Sequence, residues 1–309
     1  MHHSALHLAL LIASTLAFAI TVIINGILNS DRASSFGVED SIGQVGKDNP
    51  VDILPAGWTF SIWIVIYTWQ GAWILYAWTF VFSCRPTAIV PINKAVHALF
   101  VISCALNIIW LYLFGNEKFT AAFVLLLLLE FTLDAMIGVA TYTSYHQARE
   151  LIDNGQKYDV VLTQVLLNNG IGVYETWVTI AAQVNLAVVL QHVSDTSSST
   201  AAIVALSIIL TEMLTWFIAE ITFLDRFVRY TLTVYPVAIW ALAGIISNNW
   251  DKDEASSVLT LVAICIAGCL LVIRFVLAVI YHFARPWNSI SSVILMRNTP
   301  TPTEGSRMD

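Results

Sequence analysis

The strongest constraint on the fold is a succession of long apolar stretches that carry few charges. A helix needs roughly 20 apolar residues to cross the hydrocarbon layer of a bilayer. Since the bilayer offers no water to hydrogen-bond the backbone, each stretch must satisfy its own backbone groups as a helix. The predicted fold class is therefore an all-α membrane protein with about eight transmembrane helices. The predicted spans are 5–28, 57–82, 91–114, 118–145, 161–192, 199–223, 227–247 and 256–283.

The composition agrees with a chain that lies in lipid. Of 309 residues, 58% are hydrophobic and 11% are charged, and the mean hydropathy is +0.75. The unbroken apolar run from Val124 to Leu129 excludes the alternating strands of a membrane β-barrel. The net charge of −7 comes mostly from short acidic loops. The lipid bilayer is therefore a predicted partner, and nucleic acid is not.

The basic residues predict the orientation. No Lys or Arg precedes the first apolar stretch, which is also longer than the core of a signal peptide, so we expect it to be a retained helix. The loops on the side of the two termini carry more Lys and Arg than the loops on the opposite side. The positive-inside rule therefore predicts a multi-pass protein with both termini in the cytosol. The sequence does not indicate which membrane holds it.

A polar linker, VSDTSSST from Val193 to Thr200, suggests a division of the chain. We predict a five-helix front part over residues 1–193 and a three-helix rear part over residues 194–285. Residues 286–309 are predicted to be a disordered tail. The loop from Asn29 to Leu54 is the longest polar connection between predicted helices, and loops of that size are often lids or binding elements.

The second span contains five tryptophans within Pro55 to Trp78. Trp63, Tyr67 and Trp78 fall within about 80° of one another on a helix, and Trp69 lies in the middle of the span. A tryptophan at that depth must leave its N–H unmatched in lipid or face a partner that accepts the hydrogen bond. Inward packing is the favoured reading, and two other spans carry matching polar and aromatic faces. These are Asn107 with Trp110 in the third span, and Tyr174, Trp177, Ala181 and Asn185 in the fifth.

These residues resemble the motifs of the TspO/MBR family, the tryptophan-rich sensory proteins that include the mitochondrial translocator protein. Three blocks in the family's order carry the resemblance, which covers residues 5–193. The chain departs from the pattern at the first block, where Pro55-Ala56 replaces two adjacent prolines, and residues 199–283 lie outside the usual family domain. The matching residues are Pro55, Trp58, Phe60, Trp63, Tyr67, Gly71 and Trp78; Ala105, Leu106, Asn107, Trp110, Phe114 and Gly115; and Tyr174, Trp177, Ala181 and Asn185.

The resemblance implies a five-helix bundle with an interhelical cavity that the first loop caps. Such a cavity binds flat apolar ligands, porphyrins or alternatively sterols, on which tryptophan faces can stack. It implies no resident cofactor, although a haem-type ligand is compatible with it, and a homodimer is an admissible assembly. The predicted ligand-binding residues are Trp58, Trp63, Tyr67, Trp110, Tyr174, Trp177, Ala181 and Asn185.

Charged residues inside the predicted spans are candidates for function because they are costly at bilayer depth. Glu130 and Asp134 share one face of the fourth span, and Glu175 lies beside the aromatic stripe of the fifth. A proton relay is one interpretation. The simpler alternative is a neutral, hydrogen-bonded Glu130 with Asp134 close to a hydrated region.

In the rear part, Glu212, Trp216 and Glu220 recur every four residues, and Arg274 lies deep in the last span. By its depth, Arg274 is predicted to pair with Glu220 and to hold the rear helices together. Arg226 and Arg229 are predicted to be interfacial anchors.

Two functions remain open from the sequence. The leading one is a ligand-binding membrane protein of sensor or receptor type. The alternative is a proton-coupled secondary transporter of a small hydrophobic or amphipathic solute, which would use Glu130, Asp134, Glu175 and Glu212. A third interpretation, an integral-membrane enzyme acting on porphyrin or lipid, finds little support, since no catalytic residue set is discernible and no group of residues has the spacing of a metal site.

Overall fold

The structure is a computed structural model that describes residues 5–28, 30, 33–82 and 89–284. Every regular element within these ranges is a helix. The predicted tail, residues 286–309, lies outside the described residues. Seven helical stretches are long and apolar enough to cross a membrane. Together they show that the chain is an integral, multi-pass membrane protein of the all-α class.

The described residues form eleven α-helices. The longest run is α5 with 35 residues, which extends beyond the thickness of a hydrocarbon layer. The bounds are Ala5–Leu28 (α1), Ile42–Asp48 (α2), Ile62–Phe82 (α3), Lys94–Gly115 (α4), Phe119–Asp153 (α5), Lys157–Leu162 (α6), Asn169–His192 (α7), Ser198–Thr222 (α8), Asp225–Val228 (α9), Val234–Asn249 (α10) and Ala255–Ala284 (α11).

The seventh predicted span differs from the observed helix. The sequence predicts 227–247, whereas α10 begins at Val234 and has only 16 residues, or about 24 Å of length. Pro236 explains the late start, because proline is tolerated in the first turn of a helix but not in its interior. Arg229, predicted to be an interfacial anchor, instead lies buried before this helix, with 2% of its surface exposed. The shorter helix packs against α7 and α11.

The helix α7 lies at the centre of the molecule. In the stretch Lys157–His192, 67% of the most apolar window is buried, more than in any other spanning stretch described. It packs against α3 and α5 of the front part and against α8 and α10 of the rear part. The division at residue 193 therefore remains a prediction about folding units, since both predicted parts share α7.

A π-helical segment, Thr163–Asn168, joins α6 to α7. The wider turn of a π-helix changes which backbone groups are paired, and here the Trp69 indole donates a hydrogen bond to the Val165 carbonyl at 3.0 Å. Gly170 lies against the same ring: a Cβ at this position would be 2.8 Å from Trp69 Cδ1. The mid-span tryptophan thus finds a protein acceptor, as the sequence predicts for an inward-facing ring.

Residues 40–49 of the first loop cover one end of the front part. Ser41 caps the N-terminus of α2 by accepting a hydrogen bond from the Gln44 N–H. The Asp40 N–H donates to the Gly115 carbonyl at 3.3 Å, and Asn49 donates to the Glu117 carboxylate at 2.8 Å. These bonds hold α2 over the end of α4.

A buried ion network joins the rear helices. Arg274 Nε lies 3.1 Å from Glu220 Oε2, the pair that the sequence predicts, and neither side chain is exposed. Arg274 also donates to Asp225 Oδ1 at 3.2 Å and to the Val228 carbonyl at 2.9 Å. Asp225 in turn accepts from Arg229 at 2.6 Å. The network therefore balances two arginines with two carboxylates, and the sequence predicts only half of it.

Candidate functional site

A cavity of about 410 Å³ lies between α1, α3 and α4, beneath the short helix α2. Its volume is in the range of small-molecule sites, and its walls are mostly apolar, as such sites usually are. The residues that line it are Val22, Asn25, Gly26, Ile42, Gly43, Phe60, Trp63, Ile64, Tyr67, Trp110 and Leu111. We call it the aromatic cavity.

A smaller cavity of about 50 Å³ adjoins it on the side of α7. Both cavities are lined by Trp63 and Trp110, and the smaller one also by Trp177. Ala181 and Asn185 of α7 complete this part of the wall. The structure thus brings together tryptophans from α3, α4 and α7. The sequence predicts that these three residues face one another between the helices.

The rings of the aromatic cavity support one another. Trp63 stacks on Tyr67 with ring centres 5.4 Å apart and meets the edge of Tyr174 at 6.0 Å. The Trp110 indole donates to Asn185 Oδ1 at 3.3 Å, and Trp177 lies edge to face with Phe60 at 6.0 Å. These contacts fix the ring planes before any ligand arrives, which lowers the entropy that binding must overcome.

Two buried hydrogen-bond donors of the front part are unmatched, and one of them belongs to a residue that lines the aromatic cavity. Tyr67 lines it, and among the described residues its hydroxyl has no hydrogen-bond partner. The Asn107 amide nitrogen is likewise buried without a partner in the described part of the chain, while its oxygen accepts from Asn25 at 3.0 Å. Since a buried polar group without a partner costs about 1–3 kcal/mol, the Tyr67 hydroxyl favours a ligand that carries an acceptor oxygen or nitrogen, whereas Asn107 lies outside the cavity lining.

Trp58 lies outside both cavities, contrary to its place in the predicted ligand-binding set. It belongs to the 3₁₀ turn Gly57–Ser61 and not to the helix that follows, so its ring is rotated away from the Trp63 face. The indole donates to Ser247 at 3.2 Å and contacts Trp240 edge to face at 4.9 Å. Trp58 therefore links the start of α3 to α10.

Tyr174 also differs from the prediction, since it lines neither cavity. Its side chain is 5% exposed and packs behind Trp63. We assign it a role in positioning that ring. Sequence reasoning had not assigned Asn25, although an amide in an otherwise apolar helix is a signal that could have been used.

A second cavity, of about 350 Å³, lies on α7 between α5 and α8. We call it the acidic cavity, because four of its lining residues are Glu130, Asp134, Glu175 and Glu212. The Glu175 carboxylate accepts hydrogen bonds from Thr176 and Thr179, each at 3.1 Å. The structure therefore gathers into one cavity the four acids that the sequence analysis names as coupling residues of a transporter.

The acidic cavity also contains residues that sequence reasoning did not connect with it. Gln183 of α7 donates to Glu212 Oε1 at 3.1 Å, and Trp216 lies on its wall one turn after Glu212. Among the described residues, no group of three His, Cys, Asp or Glu side chains is arranged to hold a metal ion.

A protein-family model described as TSPO-like protein matches residues 11–276 of the chain. The match runs through all the helices of the aromatic cavity and through most of the rear part as well, beyond the span that the motif resemblance covers. No curated protein matches the chain, and no solved structure matches it.

Proposed function

We propose that this chain, which belongs to the TSPO-like protein family, is a membrane receptor that binds a flat, mostly apolar ligand in the aromatic cavity. The observation that carries the proposal is the meeting of Trp63, Tyr67 and Trp110 on one cavity of about 410 Å³. The ligand's ring system would stack on these faces. Its acceptor group would meet the unmatched Tyr67 hydroxyl.

Porphyrins suit this site better than sterols. A porphyrin offers an extended planar face for the indoles and carboxylates for the hydrogen-bond donors, whereas a sterol offers one hydroxyl and no aromatic plane. The helix α2 covers the cavity through Ile42 and Gly43. We therefore expect ligand entry to require displacement of the first loop or passage between the helices.

The test is the binding of protoporphyrin to the purified protein, followed by quenching of tryptophan fluorescence. We expect Trp63→Phe and Trp110→Phe to weaken binding by roughly two- to tenfold, since one aromatic contact contributes about 0.5–1.5 kcal/mol. Trp250→Phe is the matched control, because Trp250 is 55% exposed, directly follows the end of α10 and does not line the aromatic cavity. Equal dissociation constants in all three variants would remove the site.

A second candidate is the proton-coupled secondary transporter. It is supported by the single cavity that Glu130, Asp134, Glu175 and Glu212 line within the spanning helices. Acids at this depth in a bilayer often belong to proton relays. Reconstituted vesicles with an internal pH dye would test it: addition of an amphipathic solute should move protons, and Glu175→Gln should abolish that movement.

A further inference from the structure

The acidic cavity lies near the middle of the spanning helices. Glu130 follows the start of α5 by 11 residues, or about 17 Å. Glu212 follows the start of α8 by 14 residues, or about 21 Å. Both glutamates therefore lie within the middle part of helices that are long enough to cross the hydrocarbon layer of about 30 Å. Of the described residues that line the cavity, none is Lys or Arg.

Three polar atoms of this cavity are buried and unmatched. Within the described residues, Glu130 Oε2, Glu212 Oε2 and Trp216 Nε1 have no hydrogen-bond partner. Three other carboxyl oxygens have donors: Glu175 accepts from two threonines, one at each oxygen, and Glu212 Oε1 accepts from Gln183. Because these unmatched oxygens belong to residues of two different helices that line one volume, a donor is missing between α5 and α8.

We propose that the acidic cavity binds an amphipathic organic ammonium ion, whose N–H groups meet Glu130 and Glu212 and whose apolar body lies against the α8 and α7 walls. Ammonium N–H groups form the strong, charge-assisted hydrogen bonds that carboxylate oxygens accept. The Trp216 ring can add a cation–π contact. The rest of the wall is apolar and includes Ile180, Ile209 and Met213.

The size and shape of the cavity support an organic cation over a bare metal ion. A volume of about 350 Å³ is that of a small-molecule site. Among the described residues, no three His, Cys, Asp or Glu side chains are arranged to hold a metal ion. An ammonium head with a hydrocarbon or aromatic body can contact acids on two helices and still cover the apolar wall.

Binding is expected to exchange one proton for one ammonium ion. A carboxylic acid O–H in the cavity gives its proton to bulk water, and the carboxylate so formed pairs with the incoming cation, so the charge of the cavity is unchanged. The titratable groups that face the site are Glu130 and Asp134 of α5, Glu175 of α7 and Glu212 of α8, while α10 contributes only Val234 and Ala238. On the adjacent α11, Arg274 is already held by Glu220 and Asp225.

This inference deepens the second candidate function, because it names the solute class at the same acids, and it does not depend on the aromatic cavity. The experiment is calorimetric titration of the purified full-length protein with phenethylammonium chloride at neutral pH. The neutral alcohol of the same shape, phenethyl alcohol, is the matched probe. We expect the ammonium to bind at least tenfold more tightly than the alcohol. The binding enthalpy should also differ between two buffers, and the difference should equal the difference in their ionisation enthalpies multiplied by about one released proton.

Variants locate the site. Glu212→Gln and Glu130→Gln should each weaken ammonium binding at least tenfold, and acidification of the buffer should weaken it in the native protein. Glu150→Gln is the control, because Glu150 lies on the same α5 but is exposed and outside the cavity. Trp63→Phe should leave ammonium binding unchanged, which separates this site from the aromatic cavity.

Three results would overturn the inference: equal affinity for the ammonium and the alcohol, no difference in heat between the buffers, or native affinity in both glutamate variants. The first two use only the native protein, so they do not depend on the folding of a variant. Ammonium binding without proton movement in vesicles would leave this inference standing and remove the transporter. Loss of porphyrin binding in Trp63→Phe would support the aromatic cavity and would leave the ammonium site unaffected.

Discussion

Arg274 is a fully buried cation on an otherwise apolar helix, and its guanidinium contacts carboxylates from α8 and α9. Removing one member of a buried ion pair leaves an uncompensated charge and typically costs about 3–5 kcal/mol. We therefore expect Arg274→Gln to lower the free energy of unfolding by about that amount, measured by equilibrium unfolding in detergent.

Arg226→Gln is the control for that variant. Arg226 is exposed and only covers the Phe227 ring at 4.6 Å, so its loss should change stability by about 0.5 kcal/mol or less. Similar stability of the Arg274 and Arg226 variants would show that the network does not hold the rear helices. Exchange of the charges, Glu220→Arg with Arg274→Glu, should restore part of the loss.

For single residues, the sequence predicts a contact when two side chains lie at the same depth in neighbouring spans. Counting residues from the helix ends was sufficient to pair Glu220 with Arg274, because both lie at a similar depth. It did not predict Asp225 and Arg229, whose burial depends on how the chain turns between α8 and α10. Trp58 was misplaced for the same kind of reason, since the 3₁₀ turn changes the direction of its side chain.

Close helix packing joins α10 to the turn that precedes α3. The Ala56 N–H donates to the Gly244 carbonyl at 3.0 Å, and a Cβ on Gly244 would overlap the Thr59 side chain. Thr59 is fully buried, so it has no room to withdraw. We expect Gly244→Ala to destabilise the protein by about 1–3 kcal/mol, the usual cost of overpacking, as measured by thermal unfolding.

Gly268→Ala provides the comparison on α11, because a Cβ there meets nothing within 4 Å. It should be neutral or stabilising by up to about 1 kcal/mol, since alanine favours a helix over glycine. If both substitutions stabilised the protein alike, the close contact between α10 and Thr59 would be wrong.

The helices themselves follow well from the sequence because hydrophobic length is a local property. Seven predicted spans correspond to long helices of the structure. The short α10 could have been anticipated from Pro236. The π-helical segment before α7 could not, because it depends on the tertiary contact between Trp69 and the Val165 carbonyl.

At the scale of the whole molecule, the central helix α7 contributes to two cavities. One is the small cavity beside the aromatic cavity, and the other is the acidic cavity. Trp177, Ala181 and Asn185 of α7 face the aromatic side, whereas Glu175 and Thr179 face the acidic side. At 100° per residue the two groups are centred roughly 150° apart. The sequence predicts that Trp177, Ala181 and Asn185 share a face, but it does not predict that Thr179 joins Glu175, and the volume between the helices depends on side-chain packing that periodicity does not show.

The most direct test is to map where a photoreactive protoporphyrin derivative crosslinks to the native protein in lipid. Mass spectrometry of the digested protein should find the label on the peptides that contain Trp63, Tyr67 and Trp110, and excess unlabelled protoporphyrin should suppress it. Labelling confined to the exposed Trp240 and Trp250 of the rear part, or labelling that excess protoporphyrin does not reduce, would contradict a ligand site in the aromatic cavity.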